Sequence, residues 1–305
     1  LKSTSDFDQT GGAPKIILDA VLKWKAHKNF EIWAGQTKLP GNRERVVSSQ
    51  KLQLVDRSTV NSIFNIDRDM GVHFRGKFNA GNAVIKPIFA IAMGEGRNIT
   101  NKNIGGFNYT GRLEYLPFGE FKSKGDYFEA DLKREPKPKL AIGASYNINK
   151  GASRQTQTKH FLMDAEGNYF ENDLRTIFVD AMFKYKGFSV LAEYADKRCV
   201  LDANVNHEEV ADDMIDVNGR TYYTGNGFTI QAGYLFKKNW EIATRYTEVT
   251  PDWDMSFTGQ KEYTLGVSKY IVGHSLKVQS DVTLTDKDGK DVNNLKYRLQ
   301  FEVAF

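Results

Sequence analysis

From Leu295 onward, apolar side chains hold every second position: Leu295, Tyr297, Leu299, Phe301, Val303 and Phe305 alternate with Lys296, Arg298, Gln300 and Glu302. Period-two alternation gathers the apolar groups on one face of an extended strand and the polar groups on the other. A strand of this kind that stops on an aromatic residue fits the closing strand of an outer-membrane barrel, with one face toward lipid and the other toward water.

The same period recurs in segments of about 9 to 11 residues, the length that crosses an outer membrane at a steep tilt. They fall at 15–26, 29–36, 68–78, 84–93, 107–115, 140–147, 176–186, 188–196, 227–236, 239–247, 262–270, 275–284 and 295–305, which makes thirteen predicted strands. Short turns are expected at 27–29, 79–82, 185–187, 236–239 and 271–274, and long polar loops at 37–67, 94–106, 150–175, 197–224 and 251–261. Short turns at one rim and long loops at the other predict an all-β, antiparallel, up-and-down transmembrane barrel. The connection 117–139 breaks this rhythm, being long where a short turn belongs.

Aromatic positions sort by strand end. Trp24, Phe30, Phe78, Tyr185, Phe188, Phe236, Trp240 and Tyr270 cluster near the short turns, and Tyr109, Tyr146, Tyr194, Tyr246 and Tyr263 near the opposite ends. Two such belts are what anchoring at both membrane interfaces predicts.

Composition narrows the picture. The 305 residues read as a single barrel domain spanning 1–305, without a Pro/Ser-rich linker. Mean hydropathy is −0.50, and no run approaches the roughly 18 apolar residues of a membrane helix. The best candidate, the eleven residues from Ala83, is interrupted by Lys86 and Pro87. A net charge of +4 on 42 basic and 38 acidic side chains points to no nucleic-acid partner and gives a slight lean toward anions. The single cysteine, Cys199, permits no internal disulfide and reads as a loop bystander. No secretion signal precedes Leu1, so a processed or incomplete chain is expected.

Catalysis and metal binding find no specific candidate. His27, His73, His160, His207 and His274 show no paired metal spacing, and His207-Glu208-Glu209 is not a zinc-protease motif. Asp286-x-Asp288-Gly289-x-Asp291 lacks the ligands of a calcium loop and reads as a hairpin tip. No nucleophile elbow or phosphate-binding loop is present, so no enzyme activity and no cofactor are expected.

The inward face of the predicted strands carries Lys23, Lys25, His73, Arg75, Lys77, Arg112, Lys184, Arg245, Lys277, Lys296 and Arg298. It also carries Asp19, Glu31, Asp69, Glu114, Asp180, Glu193, Glu241, Asp281 and Glu302. A water-filled pore accepts such a mixture because each charge stays hydrated. Selection of anions needs a constriction where basic groups replace the ion's water. The basic loop 37–67 offers Lys38, Arg43, Arg45, Lys51 and Arg57 against Glu44 and Asp56; folded inward it supplies a positive ring, and folded outward it decorates the rim. With Arg75, Arg112 and Arg245 from the wall, these are the candidate pore residues.

Four stretches resemble one known family: LDAVLKWKAHKNFEIWAGQTKLPGNRERVVSS from Leu18, RDMGVHFRGKF from Arg68, GRLEYLPFGEF from Gly111 and GDYFEADLKREPKPKLAIGASYN from Gly125. They are similar to the phosphate-selective porins of Gram-negative outer membranes, in the form found in Bacteroidetes-like bacteria. The most specific element is Gly35-Gln36-x-Lys38-x-Pro40, followed by Glu44. The family usually has Phe after that proline, where this chain has Gly41.

The resemblance implies a sixteen-stranded homotrimeric barrel in outer-membrane lipid and lipopolysaccharide, passing small ions or phosphate by passive diffusion. In an even-numbered antiparallel barrel, the first and last of thirteen strands cannot close on one another. Three further strands upstream of Leu1, or supplied by another segment, are therefore expected. The alternative to a pore is a plugged barrel acting as a structural scaffold in a larger outer-membrane complex. A barrel enzyme is the other rival, and it lacks a catalytic constellation.

Overall fold

The computed structural model describes residues 17–99, 106–200, 215–253, 256–290 and 294–304. Among the described residues, fourteen antiparallel strands form one sheet: β1 (Ala20–His27), β2 (Phe30–Lys38), β3 (Arg68–Gly76), β4 (Phe78–Ala80), β5 (Ala83–Ala92), β6 (Asn108–Leu116), β7 (Lys139–Ala152), β8 (Asn172–Tyr185), β9 (Phe188–Cys199), β10 (Gly225–Leu235), β11 (Trp240–Pro251), β12 (Gln260–Val272), β13 (Leu276–Lys287) and β14 (Asn294–Val303). Each pairs with its neighbour in chain order, except that β3 and β4 share β5. Arg75 faces Ile88 and Phe78 faces Ile85, so the register carries on across the gap. The gap falls opposite Pro87, which has no N–H to give the ladder. β3 and β4 are thus one interrupted strand, and the sheet has thirteen ranks at the thirteen expected places. Cys199 ends β9 opposite Leu174, so it belongs to the ladder and not to a loop.

The sheet is polar inside and apolar outside, the reverse of a soluble sandwich. Leu22, Leu295 and Phe301 are 74%, 71% and 70% exposed on the outer face, while inward-facing His73, Asp180 and Lys277 are buried. Phe305 and Asp291 lie outside the described residues, as do His207 and its neighbouring glutamates. Trp24, Phe78, Phe188, Phe236 and Trp240 stand exposed near the short turns, and Tyr109, Tyr146, Tyr194 and Tyr263 near the other rim. Tyr270 departs from its expected belt. It points inward, buried, and donates to Glu241 Oε2 at 2.5 Å.

Two segments fold into the lumen. The first, 39–67, carries the short helices α1 (Arg43–Val46) and α2 (Thr59–Phe64), the latter capped by Ser58, whose Oγ accepts from Asn61 N at 3.2 Å. Its Leu39, Val60, Ile63, Phe64 and Ile66 pack on Ala90, Ala92, Phe178, Ala195 and Val249 of the wall. A polar loop with this much apolar surface gains more by covering the wall than by facing water.

The second is the long connection 117–138, which enters from the short-turn rim. Lys184 of β8 donates to the carbonyls of Gly125, Phe128 and Ala130 at 2.7–2.9 Å. Glu129 of this segment accepts from Gln53 N and from Gln231 Nε2, joining both inward segments to β10. Its unexpected length lets it reach Gln53 of the first segment and Gln231 of β10.

Candidate functional site

The inward segments divide the lumen unequally. Along β1, β2, β3, β5 and β6 a cavity of about 800 Å³ remains, running from Asp19 and Lys38 at the long-loop end to Lys28 and Lys77 at the short-turn end. Ten of its lining residues are Lys or Arg and four are Asp or Glu. Trp33 stands in the middle with Lys23 Nζ 4.0 Å and Arg75 Cζ 4.4 Å from its ring. An aromatic face steadies a cation without neutralising it, so both charges remain available to a passing anion. Lys77 pairs with Glu120 at 2.8 Å and Lys86 with Asp126 at 2.7 Å, whereas Lys25, Lys28 and Lys124 have no carboxylate within ion-pair distance among the described residues. Burial, and then the charge of Lys124, lower the Lys51 pKa from its ordinary value.

Against β6–β9 the inward segments pack closely on the wall. Arg43 Nε lies 2.7 Å from Asp180 Oδ1, and Arg112 lies 2.7 Å from Asp180 Oδ2 and 2.9 Å from Glu114. Arg112 Nη1 also donates to the Gly41 carbonyl at 2.8 Å. Burial disfavours the charge on Arg43, but Asp180 and Glu114 outweigh it and raise the guanidinium pKa above its ordinary value. Gly143 of β7 makes room for the cluster, since a Cβ there would run into the Arg112 guanidinium and the Asp180 carboxylate. These wall charges are not kept hydrated, as a uniformly wet lumen would require. They are buried and held in ion pairs beneath the segments that cover them.

The pore candidates therefore separate. Lys38, Lys51, Arg75 and Arg112 reach the large cavity. Arg45, Arg57 and Arg245 line a second one of about 460 Å³, beside Lys159, Lys296 and Arg298. Arg43 is fully buried and lines neither. Several of these cations also hold the inward loop together. Lys38 Nζ donates to the carbonyls of Arg45, Val46 and Val47 at 2.8–3.4 Å, and Arg57 to those of Glu44 and Val47. Arg45 Nε donates to Asp67 Oδ1 at 2.9 Å. Burial works against the Asp67 charge, yet Arg45 and Arg68 hold its carboxyl below the ordinary value.

Each residue of the Gly-Gln-x-Lys-x-Pro element has a position to hold. Gly35 sits at φ +126°, where a Cβ would meet the Ala20 carbonyl. Gln36 exchanges two hydrogen bonds with Asn98, at 3.0 Å and 2.8 Å. The Pro40 carbonyl accepts from Ser145 Oγ at 3.0 Å, and Glu44 accepts from Ser58 N at 2.8 Å and Ser58 Oγ at 2.5 Å. Gly41 is explained by crowding: a Cβ would lie 2.5 Å from Ile66 Cγ1 and 3.6 Å from Phe178. Phe178 and Ile66 occupy the space a larger residue would need.

Lys28, Lys77, Lys86 and Lys124 were not among the candidates, and with Lys23 and Lys25 they supply most of the cavity's charge. The alternation Lys23-Trp24-Lys25 carries the signal for the strand residues. Lys124 lies in the connection whose direction the sequence does not show. Among the described residues no group of three or more His, Cys, Asp or Glu gathers to hold a metal.

Comparison with solved structures finds outer-membrane proteins. The chain is similar to a loop L8 deletion mutant of OmpT from Vibrio cholerae, at 11% identity and TM-score 0.48 over 91% of this chain and 76% of that one. It is also similar to OccK8 (OprE) of Pseudomonas aeruginosa, at 13% identity and TM-score 0.44 over 91% and 69%. A BenF-like porin of Pseudomonas fluorescens Pf-5 aligns at 10% identity and TM-score 0.45 over 92% and 65%. No significant match is found among curated proteins. The family model for phosphate-selective porins O and P matches residues 2–304. The chain belongs to that family, a channel protein of the Gram-negative outer membrane.

Proposed function

We propose that the protein is a passive diffusion pore for small hydrophilic solutes with a preference for anions, and that ions travel along the cavity beside β1–β6. The observation that carries this reading is the lining of that cavity, ten basic side chains against four acidic ones over its whole length. Where a pore narrows to a wall of fixed cations, an entering anion exchanges water for ammonium and guanidinium contacts, while a cation is repelled. No energy source or cofactor takes part. Phosphate preference, the sixteen-strand count and the trimer that the family resemblance implies belong to the same proposal.

The closely packed wall of β6–β9 favours a second reading, a barrel used as a scaffold, because buried ion pairs such as Arg43–Asp180 hold the inward segments in place. Reconstitution into planar bilayers separates the two. Discrete conductance steps with net anion selectivity support the pore, and silence at high protein load supports the scaffold.

A further inference from the structure

A third cavity, of about 590 Å³, lies at the short-turn rim between the inward segment 117–138 and the β12–β13 hairpin. It differs in kind from the basic channel. One side is aromatic: the His274 ring lies 5.3 Å from that of Phe128 and 5.3 Å from that of Tyr270. Ala130, Leu132 and Val272 extend this apolar surface. The His274 ring nitrogens are buried, and the nearby Gln50 backbone completes no hydrogen bond of ordinary geometry with them. Burial, with the charges of Lys277 and Lys184, lowers the His274 pKa to about 3, so the imidazole is neutral at ordinary pH and can donate as well as accept.

The rim of the same cavity is cationic. Lys51, Lys122 and Lys133 line it and have no carboxylate within ion-pair distance among the described residues. The two acids present are already engaged by backbone amides. Asp131 accepts from Glu135 N and Gly187 N, and Glu135 accepts from Lys122 N at 2.6 Å. The Lys51 ammonium sits 4.0 Å over the Phe128 ring. Lys51, Ser123 and Phe128 also line the basic channel, so the chamber adjoins it. A concave site of several hundred Å³, mostly apolar and with a few convergent polar groups, has the form of a small-molecule site.

We propose that this chamber binds a flat aromatic carboxylate, its ring against Phe128, His274 and Tyr270 and its carboxylate among Lys51, Lys122 and Lys133. Inorganic ions pass the chamber by, because they have no ring to fill the aromatic side. An aromatic anion diffusing along the channel is retained there.

Calorimetric titration of the purified protein in detergent with 1-naphthoate tests this, with acetate as the probe carrying the carboxylate without the ring and 1-naphthalenemethanol as the probe carrying the ring without a charge. The expected result is saturable 1-naphthoate binding, with both other probes at least about tenfold weaker. Phe128→Leu and Lys51→Gln should each weaken naphthoate by roughly three- to tenfold. Lys51→Gln alters a partly exposed side chain, so it serves even if Phe128→Leu does not fold. Absence of saturable naphthoate heat, equal affinity for all three probes, or unchanged affinity in a folded variant would overturn the proposal. The readout involves no ionic current, so a failed conductance experiment leaves it untouched, and the reverse also holds.

Discussion

Two stretches of the lumen wall carry the same kinds of side chain and put them to opposite uses. On β1–β3, Lys23, Lys25 and Arg75 face open space and keep their charges available. On β6–β13, Asp180, Lys184 and Lys277 face protein, and each is consumed by hydrogen bonds to carbonyls or by ion pairs. The difference lies in what covers them, not in the strands. Inward charge on a barrel strand is therefore not by itself evidence of a pore-lining residue. The same alternation produces a selective surface where the lumen is open and an anchoring surface where a segment folds back.

Removing an anchor on the closely packed side should have the largest effect. Asp180 is shared by Arg43 of the inward loop and Arg112 of the wall, so Asp180→Ala leaves two buried cations short of their acid. The expected loss is about 3–5 kcal/mol in unfolding free energy by urea titration. An unchanged midpoint would mean that the cluster does not hold the segment.

A smaller effect is expected at the long-loop rim, where Glu95 accepts from Ser153 N at 3.1 Å. Burial raises its pKa from 4.5 to about 7, with the Ser153 hydrogen bond and the Arg154 charge opposing in part. A carboxyl whose folded-state pKa is raised contributes stability fully below its ordinary value and loses that contribution as pH climbs through the raised one. Amide exchange protection in 94–99 and 151–157, taken relative to Glu95→Gln, should thus fall roughly tenfold between about pH 5 and pH 8. Protection that rises with pH would reverse the sign and remove Glu95 from the account.

The strand ladder was legible because lipid on one side and polar lumen on the other impose a two-residue period that few other folds sustain. Strand ends were less so. β7 runs on to Ala152 and β8 starts at Asn172, where Asn147, Asn149 and Lys150 continue the backbone ladder beyond the apolar zone that generates the pattern. The inward course of 39–67 was open from the sequence, although Val60, Ile63, Phe64 and Ile66 gave a signal, being too apolar for an external loop. For 117–138, Phe121 and Phe128 offered the same hint. Which charges stay free depends on contacts between residues more than a hundred positions apart, such as Arg43 with Asp180, and no local pattern records those.

If the compartment beside β1–β6 conducts and sets selectivity, reversal potential across a bilayer in a KCl gradient reads its charges. The protein is expected to show an anion-preferring potential, with a clear shift toward cations when Lys23, Lys25 and Arg75 are together replaced by Gln. A triple variant that conducts with the original potential would contradict this expectation and place the ion path elsewhere.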